Sequence, residues 1–330
     1  MSDGIAVVTG ASGHLGANLV RALVADGRRV RALVRRDLRA LEGLDVETVE
    51  GDLFDPASLE RAFHGAECVF NAAGRISITG PDGGLVERTN VDGVKTLVRA
   101  CRAAGVHRLV HVSSIHAFQS EPQDVPIDET RPLALDGRVA CYDRSKAMGQ
   151  IVVLDADRDG LSTVVVNPTA ILGPCDYKPS RMGAVLLDIA QWKLPALVDG
   201  GFNWVDARDV AAGAMAAERQ GRSGHCYLLS GHWVHICDLS AIVGRTLGRR
   251  TPRLATPRWI AGPASYVSLG MGRMTGKTPK FTPEAIRALH RHRLISHQKA
   301  SAELGYAPRP IEETVRDTLD WFRKAGMLKA

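Results

Sequence analysis

The sequence has little of several features that would place it in a specialised class of protein. Aromatic residues make up 5% of the 330 residues, and we find no zinc-finger or RNA-recognition motif, which argues against nucleic-acid binding. The six cysteines include no Cys-x-x-Cys pair, so neither a metal site nor a redox dithiol is predicted. No apolar run reaches the ~18 residues that a membrane span needs. With no signal-peptide pattern at the N-terminus, these absences favour a cytoplasmic protein with free thiols.

The net charge is +6 and the isoelectric point is about 9.1. The basic residues are concentrated in the C-terminal third of the chain, from Arg245 to Lys299. A solvated surface explains such a distribution, and so does contact with an anionic substrate or an anionic membrane surface. The sequence leaves these readings open.

Short apolar runs alternate with segments of helical periodicity over the first half of the chain. This alternation predicts an α/β fold with a doubly wound parallel sheet of the Rossmann type, in which ligands bind at the carboxyl ends of the strands. The predicted strands lie at 5–9, 30–34, 46–50, 68–70, 108–112 and 162–166, and the helices at 15–25, 56–63, 90–104 and 142–157.

After Pro168 the pattern loosens, and proline and glycine become frequent. Short strands are still predicted at 202–205 and 225–229, and helices at 182–190 and 209–218. We therefore predict two domains. The NAD(P)-binding Rossmann domain covers 1–170, with about 204–231 returning to it. A smaller, mostly helical substrate domain covers 171–203 and 232–330.

A glycine-rich segment follows the first predicted strand and opens the first predicted helix. In this context a Gly-x-x-Gly-x-x-Gly turn places backbone N–H groups and a helix N-terminus against a dinucleotide pyrophosphate. The candidate cofactor-binding residues here are Thr9, Gly10, Ser12, Gly13, His14, Leu15 and Gly16.

Cofactor choice is determined at the end of the second strand, where NAD enzymes place Asp or Glu against the ribose hydroxyls. This chain has Arg35 and Arg36 there, and a guanidinium pairs well with a 2′-phosphate. We therefore predict that NADP(H) is preferred, with NAD(H) as the open alternative.

Tyr142 and Lys146 have the Tyr-x-x-x-Lys spacing, which puts both side chains on one face of a helix. An ammonium ~4 Å away would supply the ~4 kcal/mol that lowers a tyrosine pKa by ~3 units. We therefore expect Tyr142 to be an acid/base of lowered pKa. Ser114, at the end of the fifth predicted strand, is placed to bind the oxygen of a carbonyl or alcohol substrate.

With the glycine turn upstream, this order of motifs resembles the extended short-chain dehydrogenase/reductases, the NAD-dependent epimerase/dehydratase family. The segment from Val166 to Pro174 resembles dihydroflavonol-reductase-like, 3β-hydroxysteroid-dehydrogenase-like and hopanoid-associated sugar-epimerase members. The resemblance implies that Asn90 holds a proton-relay water. It also implies further cofactor contacts, at Asp52, Leu53, Asn71, Ala72, Ala73, Gly74, Pro168, Thr169 and Ile171, besides Tyr142 and Lys146.

These features predict an oxidoreductase that interconverts a carbonyl and a secondary alcohol of a small-molecule substrate through a Ser-Tyr-Lys-Asn site. Ile115 and His116 replace the Asp-Glu pair of the family's dehydratases, and Phe202 and Asn203 stand where many sugar-nucleotide epimerases carry Arg-Asp. A sugar epimerase with tightly bound NAD(P) and a non-catalytic NADP(H) sensor remain the alternatives. The helices at 90–104 and 142–157, which related enzymes use for dimerisation, predict a homodimer.

Overall fold

The computed structural model describes residues 4–194, 196–275 and 282–329. A seven-stranded parallel sheet forms the centre of the fold, in the order β10-β6-β5-β4-β1-β2-β3. The sheet confirms the predicted Rossmann-like architecture. Its strands are β1 (Ile5–Thr9), β2 (Arg29–Val34), β3 (Glu47–Glu50), β4 (Ala66–Asn71), β5 (Arg108–Val112), β6 (Ser162–Pro168) and β10 (His225–Leu229).

Helices cover both faces of this sheet, because the side chains of its central strands are buried on both sides. One face packs against α1 and α7, and the other against α2, α4 and α5. The helices are α1 (His14–Ala25), α2 (Pro56–Phe63), α3 (Leu85–Glu87), α4 (Gly93–Ala103), α5 (Cys141–Arg158), α6 (Arg181–Ala190), α7 (Ala207–Gln220), α8 (Ile236–Leu247), α9 (Arg258–Thr275), α10 (Pro283–Ala288), α11 (Gln298–Leu304) and α12 (Ile311–Lys324).

The helix predicted at 90–104 begins differently from the expectation. A π-helical turn, Arg88–Asp92, precedes α4 and contains Asn90. Gly149 of α5 faces this turn so closely that a β-carbon there would collide with the Asn90 carbonyl oxygen. The wider turn and the glycine together let α5 pack tightly beside Asn90.

The region after β6 contains more strand than the sequence pattern indicated. β7 (Ala170–Leu172), β9 (Gly201–Asp206) and β11 (His232–His235) form a three-stranded sheet, and β8 (Leu197–Val198) pairs with β12 (Ala255–Thr256). β9 agrees with the strand predicted at 202–205, whereas the other four strands are too short for periodicity to reveal. With α6, α8 and α12 they enclose a second apolar core that includes Trp204 and Phe322.

Two segments pack across the boundaries of the predicted domains. β9 belongs to the small sheet, although its residues from 204 onward were assigned to the Rossmann domain. α11 packs on α7 and β10, so Leu304 and Tyr306 join the core of the large sheet. Within the described residues, no helix has the length and apolar character needed to cross a membrane.

Candidate active site

A cavity of about 690 Å³ lies at the carboxyl ends of the central strands. One wall, which we call the sheet wall, comes from the loops that follow β1, β4, β5 and β6 and from the start of α5. The opposite wall, which we call the cap wall, comes from α6, β8, β9 and α10. The position of the cavity agrees with the ligand-binding edge expected of a doubly wound sheet.

The glycine turn shapes one end of this cavity. Gly10 has a φ of +67°, and a β-carbon there would lie 2.7 Å from the backbone nitrogen of Ala73. A β-carbon on Gly16 would collide with the Gly10 carbonyl oxygen, so both positions require glycine. No side chain caps the N-terminus of α1, and Gly13, His14 and Leu15 line the cavity. An uncapped helix N-terminus with close backbone approach fits a dinucleotide pyrophosphate.

Several residues predicted to bind the cofactor have their side chains engaged elsewhere. The Thr9 hydroxyl donates to Asn71 Oδ1 at 2.7 Å, and Asn71 Nδ2 lies 3.0 Å from His111 Nδ1. Thr9 and Asn71 are fully buried, so they tie adjacent strands together and present no side chain to a ligand. His14 Nε2 lies 3.1 Å from the carbonyl oxygen of Gly173 and 3.1 Å from that of Pro174, which anchors the loop after β7.

Most of the other predicted cofactor residues lie on the cavity wall, and a few lie outside it. The lining residues include Ala72, Ala73, Gly74, Pro168, Thr169 and Ile171. Ser12 and Asp52 are half-buried and do not line the cavity. The side chain of Leu53 is buried in the core.

Arg35 and Arg36 follow β2 directly, and both are exposed. Neither forms an ion pair within the described part of the chain. The nearby carboxylate, Asp37, is bound by Arg39 at 2.6 Å, and this pairing lowers the pKa of Asp37 to about 2. The end of β2 therefore presents uncompensated positive charge.

Tyr142 and Ser114 meet at the polar end of the cavity. The Ser114 side chain favours the ionised phenol of Tyr142, but burial of Tyr142 has the larger effect. Burial raises the pKa of Tyr142 to about 12, contrary to the lowering expected from the sequence. Tyr142 is therefore protonated at neutral pH, the form that a general acid requires.

Lys146 is desolvated as well. Its ammonium donates to the Val112 carbonyl oxygen at 3.0 Å, and the residue is 7% exposed. Burial lowers the pKa of Lys146 to about 8, which leaves the lysine charged at neutral pH. The expected lowering of the Tyr142 pKa is absent because burial of the phenol has the largest effect.

Asn90 lies beside this pair through its amide group. Its Oδ1 accepts from the Arg75 backbone N–H at 2.8 Å, and its Nδ2 donates to the Arg75 carbonyl at 2.9 Å and to Ser145 Oγ at 2.9 Å. A β-carbon on Gly74 would lie 3.5 Å from Asn90 Oδ1 and 3.7 Å from Lys146 Nζ. The structure thus brings Ser114, Tyr142 and Lys146 to one end of the cavity, with the buried side chain of Asn90 close to Gly74 of the cavity wall.

Sequence reasoning missed a group of polar residues around Tyr142. The His116 ring lies 5.5 Å from the Tyr142 ring and 4.9 Å from the His292 ring, centroid to centroid. Asp143 Oδ1 lies 3.1 Å from His116 Nδ1, and Asp143 Oδ2 lies 3.5 Å from Arg291 Nη1. Arg291 and His292 are about 150 residues away in the chain, so no local motif could have linked them to the site.

Arg181 is a second cation that the sequence did not indicate. It begins α6, lines the cavity, and interacts favourably with ionised Tyr142. Burial lowers the pKa of Arg181, and no described carboxylate compensates it with an ion pair. The site therefore carries a partly desolvated guanidinium near the acid.

The fold and the cavity define an NAD(P)-dependent oxidoreductase of the Rossmann type. The chain belongs to the NAD dependent epimerase/dehydratase family, whose model matches residues 6–230. This match confirms the family predicted from the motifs.

Three comparisons extend the likeness over nearly the whole chain. Sterol demethylase protein B of Methylococcus capsulatus is 37% identical over 98% of this chain and 99% of its own length. A 4-hydroxy-2-methyl-3-oxo-4-farnesyl-3,4-dihydroquinoline-1-oxide ketoreductase of Stigmatella aurantiaca is 32% identical over 97% of this chain and 96% of its own. The crystal structure of gox2253 superposes with a TM-score of 0.86 at 34% identity, covering 99% of this chain and 100% of that one.

Proposed function

We propose that the protein is an NADP(H)-preferring reductase of an apolar ketone, interconverting the ketone and its secondary alcohol. The observation that carries this proposal is the arrangement of Ser114, Tyr142 and Lys146 at the polar end of an otherwise largely apolar cavity, with Asn90 buried beside it. A single polar end suits a substrate with one reacting oxygen and a hydrocarbon body.

Each of these four residues has a distinct role in the proposal. Ser114 donates to or accepts from the substrate oxygen and orients it, while protonated Tyr142 gives that oxygen its proton. Lys146 and Asn90 bind backbone groups behind Tyr142 and maintain the path by which a proton reaches Tyr142. The nicotinamide, when bound, would supply the hydride.

The cofactor preference rests on the end of β2. Arg35 and Arg36 are exposed there without ion-pair partners, and Asp37 is engaged by Arg39. Two free guanidiniums favour a 2′-phosphate, whereas a free carboxylate would favour ribose hydroxyls. The pyrophosphate would lie against the backbone of Gly13, His14 and Leu15.

The substrate class is inferred from the cap wall. Its side chains are mostly aliphatic or aromatic, among them Leu194, Leu197, Val198, Phe202, Ile236, Ile286 and Leu289. Two relatives are named for a sterol and for a farnesyl-bearing quinoline, both bulky and apolar. We propose a substrate of similar character, lipid-like in size and polarity.

We keep the two-domain division as a proposal, with β9 assigned to the substrate-binding part and α11 to the Rossmann part.

We also propose a homodimer through α4 and α5. Val153 is wholly buried within one chain and so faces no partner, whereas Met148 and Ile151 of α5 remain half-buried. Light scattering that gives twice the 35.5 kDa monomer mass would support the dimer, and the monomer mass would overturn it.

The test is NADPH oxidation with a series of ketones of increasing hydrocarbon size, with the alcohol product identified. We expect one alcohol formed for each NADPH consumed. Tyr142→Phe should lower turnover at least ~100-fold, because it removes the general acid, while NADPH affinity is retained. Tyr177→Phe is the matched control, because the Tyr177 hydroxyl is bound to Arg21 at 2.6 Å.

The outcomes separate the rival functions. Substrate isomerisation without net NADPH consumption would identify an epimerase, and NADPH binding without any turnover would identify a sensor. Near-native turnover of the Tyr142→Phe variant would show that another group is the acid.

A further inference from the structure

The start of α9 differs from an ordinary surface helix. Its large apolar side chains face the solvent, and its small side chains face the protein. Trp259, Pro263 and Tyr266 follow the i, i+4, i+7 spacing of one helix face, and all three are exposed. Trp259 is 76% exposed and Tyr266 is 66% exposed. The inward positions are instead the small residues Ala261 and Ser265, both buried. Large aromatic side chains thus point outward along this stripe.

Neighbouring segments extend this apolar surface beyond α9. Leu254 is 76% exposed, and Ile260 and Trp192 are also exposed. The indole N–H of Trp192 donates to the Arg250 carbonyl at 2.7 Å, which fixes the end of α6 against the segment that leads into β12. We call the exposed residues Trp192, Leu254, Trp259, Ile260 and Tyr266 the aromatic face.

The charge around the aromatic face has one sign. Between Asp238 and Glu284 the chain contains eight Lys or Arg residues and no Asp or Glu. Arg250 and Arg253 are exposed beside the aromatic face, and neither forms an ion pair with any part of the chain that the structure describes. An exposed apolar surface with uncompensated guanidiniums beside it is complementary to an anionic, partly apolar partner.

The aromatic face shares its framework with the cavity. The Leu197 backbone N–H donates to the Leu254 carbonyl at 2.8 Å, and Leu197 and Val198 of β8 line the cavity. α9 packs against α10, which contributes Ala285, Ile286 and Ala288 to the cap wall. The aromatic face and the apolar end of the cavity are therefore built on the same short strands and helices.

We propose that the aromatic face docks on the surface of an anionic lipid bilayer, so that an apolar substrate passes from the bilayer to the cap wall. This proposal rests on the proposed function for its substrate but not for its membrane contact. Tryptophan and tyrosine favour the bilayer interface, where the ring is partly apolar and the polar tip meets headgroups. Arginines beside them pair with anionic lipid phosphates.

A second copy of this chain fits the aromatic face less well than a bilayer does. Two such faces would bring Arg250 and Arg253 against the same unpaired arginines of another copy, and like charges oppose association. The proposed dimer uses α4 and α5, which leaves the aromatic face free.

The experiment is flotation of the full chain, with NADP⁺ added, on vesicles of phosphatidylcholine alone or of phosphatidylcholine mixed with phosphatidylglycerol. We expect binding to the mixed vesicles at least tenfold tighter than to phosphatidylcholine alone, reduced by added salt. Arg250→Gln with Arg253→Gln should weaken binding about 25-fold, at about 5-fold for each charge removed. Trp259→Ser with Tyr266→Ser should weaken it at least tenfold, because two interfacial rings are lost.

Matched controls are Leu135→Ser and Arg138→Gln, which alter an exposed leucine and an exposed arginine in a loop outside the cavity wall. Both should bind vesicles like the wild type. All variants should reduce a water-soluble ketone at the wild-type rate, which separates membrane docking from the proposed activity. Equal affinity for neutral and mixed vesicles, or aromatic-face variants that bind like the controls, would overturn the proposal. If the aromatic-face variants dissociate into monomers in the absence of vesicles, the aromatic face binds a second copy of the chain and not a bilayer.

Discussion

The two walls of the cavity differ in how the chain builds them. On the sheet wall, Tyr142 and Lys146 come from successive turns of α5, and Ser114 is the second residue after β5. On the cap wall, Leu197 and Ile286 are about 90 residues apart in the chain and meet only because α9 and α10 fold back over the site. The chemistry is thus encoded locally, and the shape of the substrate pocket is encoded by distant packing.

The walls also differ in what they contribute. The sheet wall buries titratable groups, which raises the pKa of Tyr142 to about 12 and lowers that of Lys146 to about 8. The cap wall carries Arg181 at the start of α6, but most of its lining is hydrocarbon, whose burial stabilises the fold. We infer that changes on the sheet side alter cofactor use and catalysis, and that changes on the cap wall alter substrate choice.

Arg35→Asp should affect the cofactor alone. It removes a charge-assisted contact to the 2′-phosphate worth ~1.5–3 kcal/mol, so NADP⁺ affinity should fall about 10–100-fold while NAD⁺ affinity holds or improves. Calorimetric titration with both cofactors measures this. Arg29→Asp makes the same charge change at the opposite, exposed end of β2 and should leave both affinities unchanged. Unaltered NADP⁺ affinity in Arg35→Asp would remove the basis for the proposed preference.

Ala288→Phe should affect the substrate alone. Ala288 is half-buried on the cap wall, and a phenyl ring there occupies space that a bulky substrate would need. We expect the KM for a large apolar ketone to rise about tenfold, equivalent to ~1.4 kcal/mol, with little change for a small ketone. Arg287→Phe adds the same ring on the exposed side of α10 and serves as the control. A uniform loss of turnover with both ketones would mean that the cap wall also positions the reacting atoms.

The difference between the two walls explains which parts of the structure could be predicted from the sequence. The alternation of apolar runs and helical periodicity was sufficient for the parallel sheet, and the glycine turn and Tyr-x-x-x-Lys spacing located one end of the cavity. β7, β8, β11 and β12 were missed, because two to four residues carry no readable period. Arg291 and His292 were missed because their approach to Tyr142 depends on tertiary packing.

The direction of the Tyr142 pKa shift was also missed, for an energetic reason. The sequence shows that a lysine lies one turn from the tyrosine, but it does not show how much water both groups lose. In the folded protein, burial of the phenol decides the direction of the Tyr142 pKa shift.

Lys146→Met tests whether the buried lysine of the sheet wall lowers the free energy of unfolding. Lowering the lysine pKa from 10.5 to about 8 corresponds to ~3 kcal/mol of unfavourable burial of the ammonium. Methionine fills similar space without charge, but it leaves the Val112 carbonyl without its donor at a cost of ~1–2 kcal/mol. The cofactor-free variant should therefore be more stable than the wild type by ~1–2 kcal/mol at neutral pH, which raises Tm by a few degrees.

The pH dependence of this gain has a definite sign. Below pH 8 Lys146 is charged in both the folded and the unfolded state, so the wild type carries the full burial penalty. Between pH 8 and pH 10.5 the folded state releases its proton before the unfolded state does, so wild-type stability rises relative to the variant. The advantage of Lys146→Met should thus be constant below pH 8 and disappear by about pH 10. Denaturant unfolding of both proteins across this range measures it, and subtracting the two curves cancels the common ionisation of Tyr142. A variant less stable than the wild type at pH 7, or an advantage that does not change with pH, would show that Lys146 contributes to the fold as well as to the site.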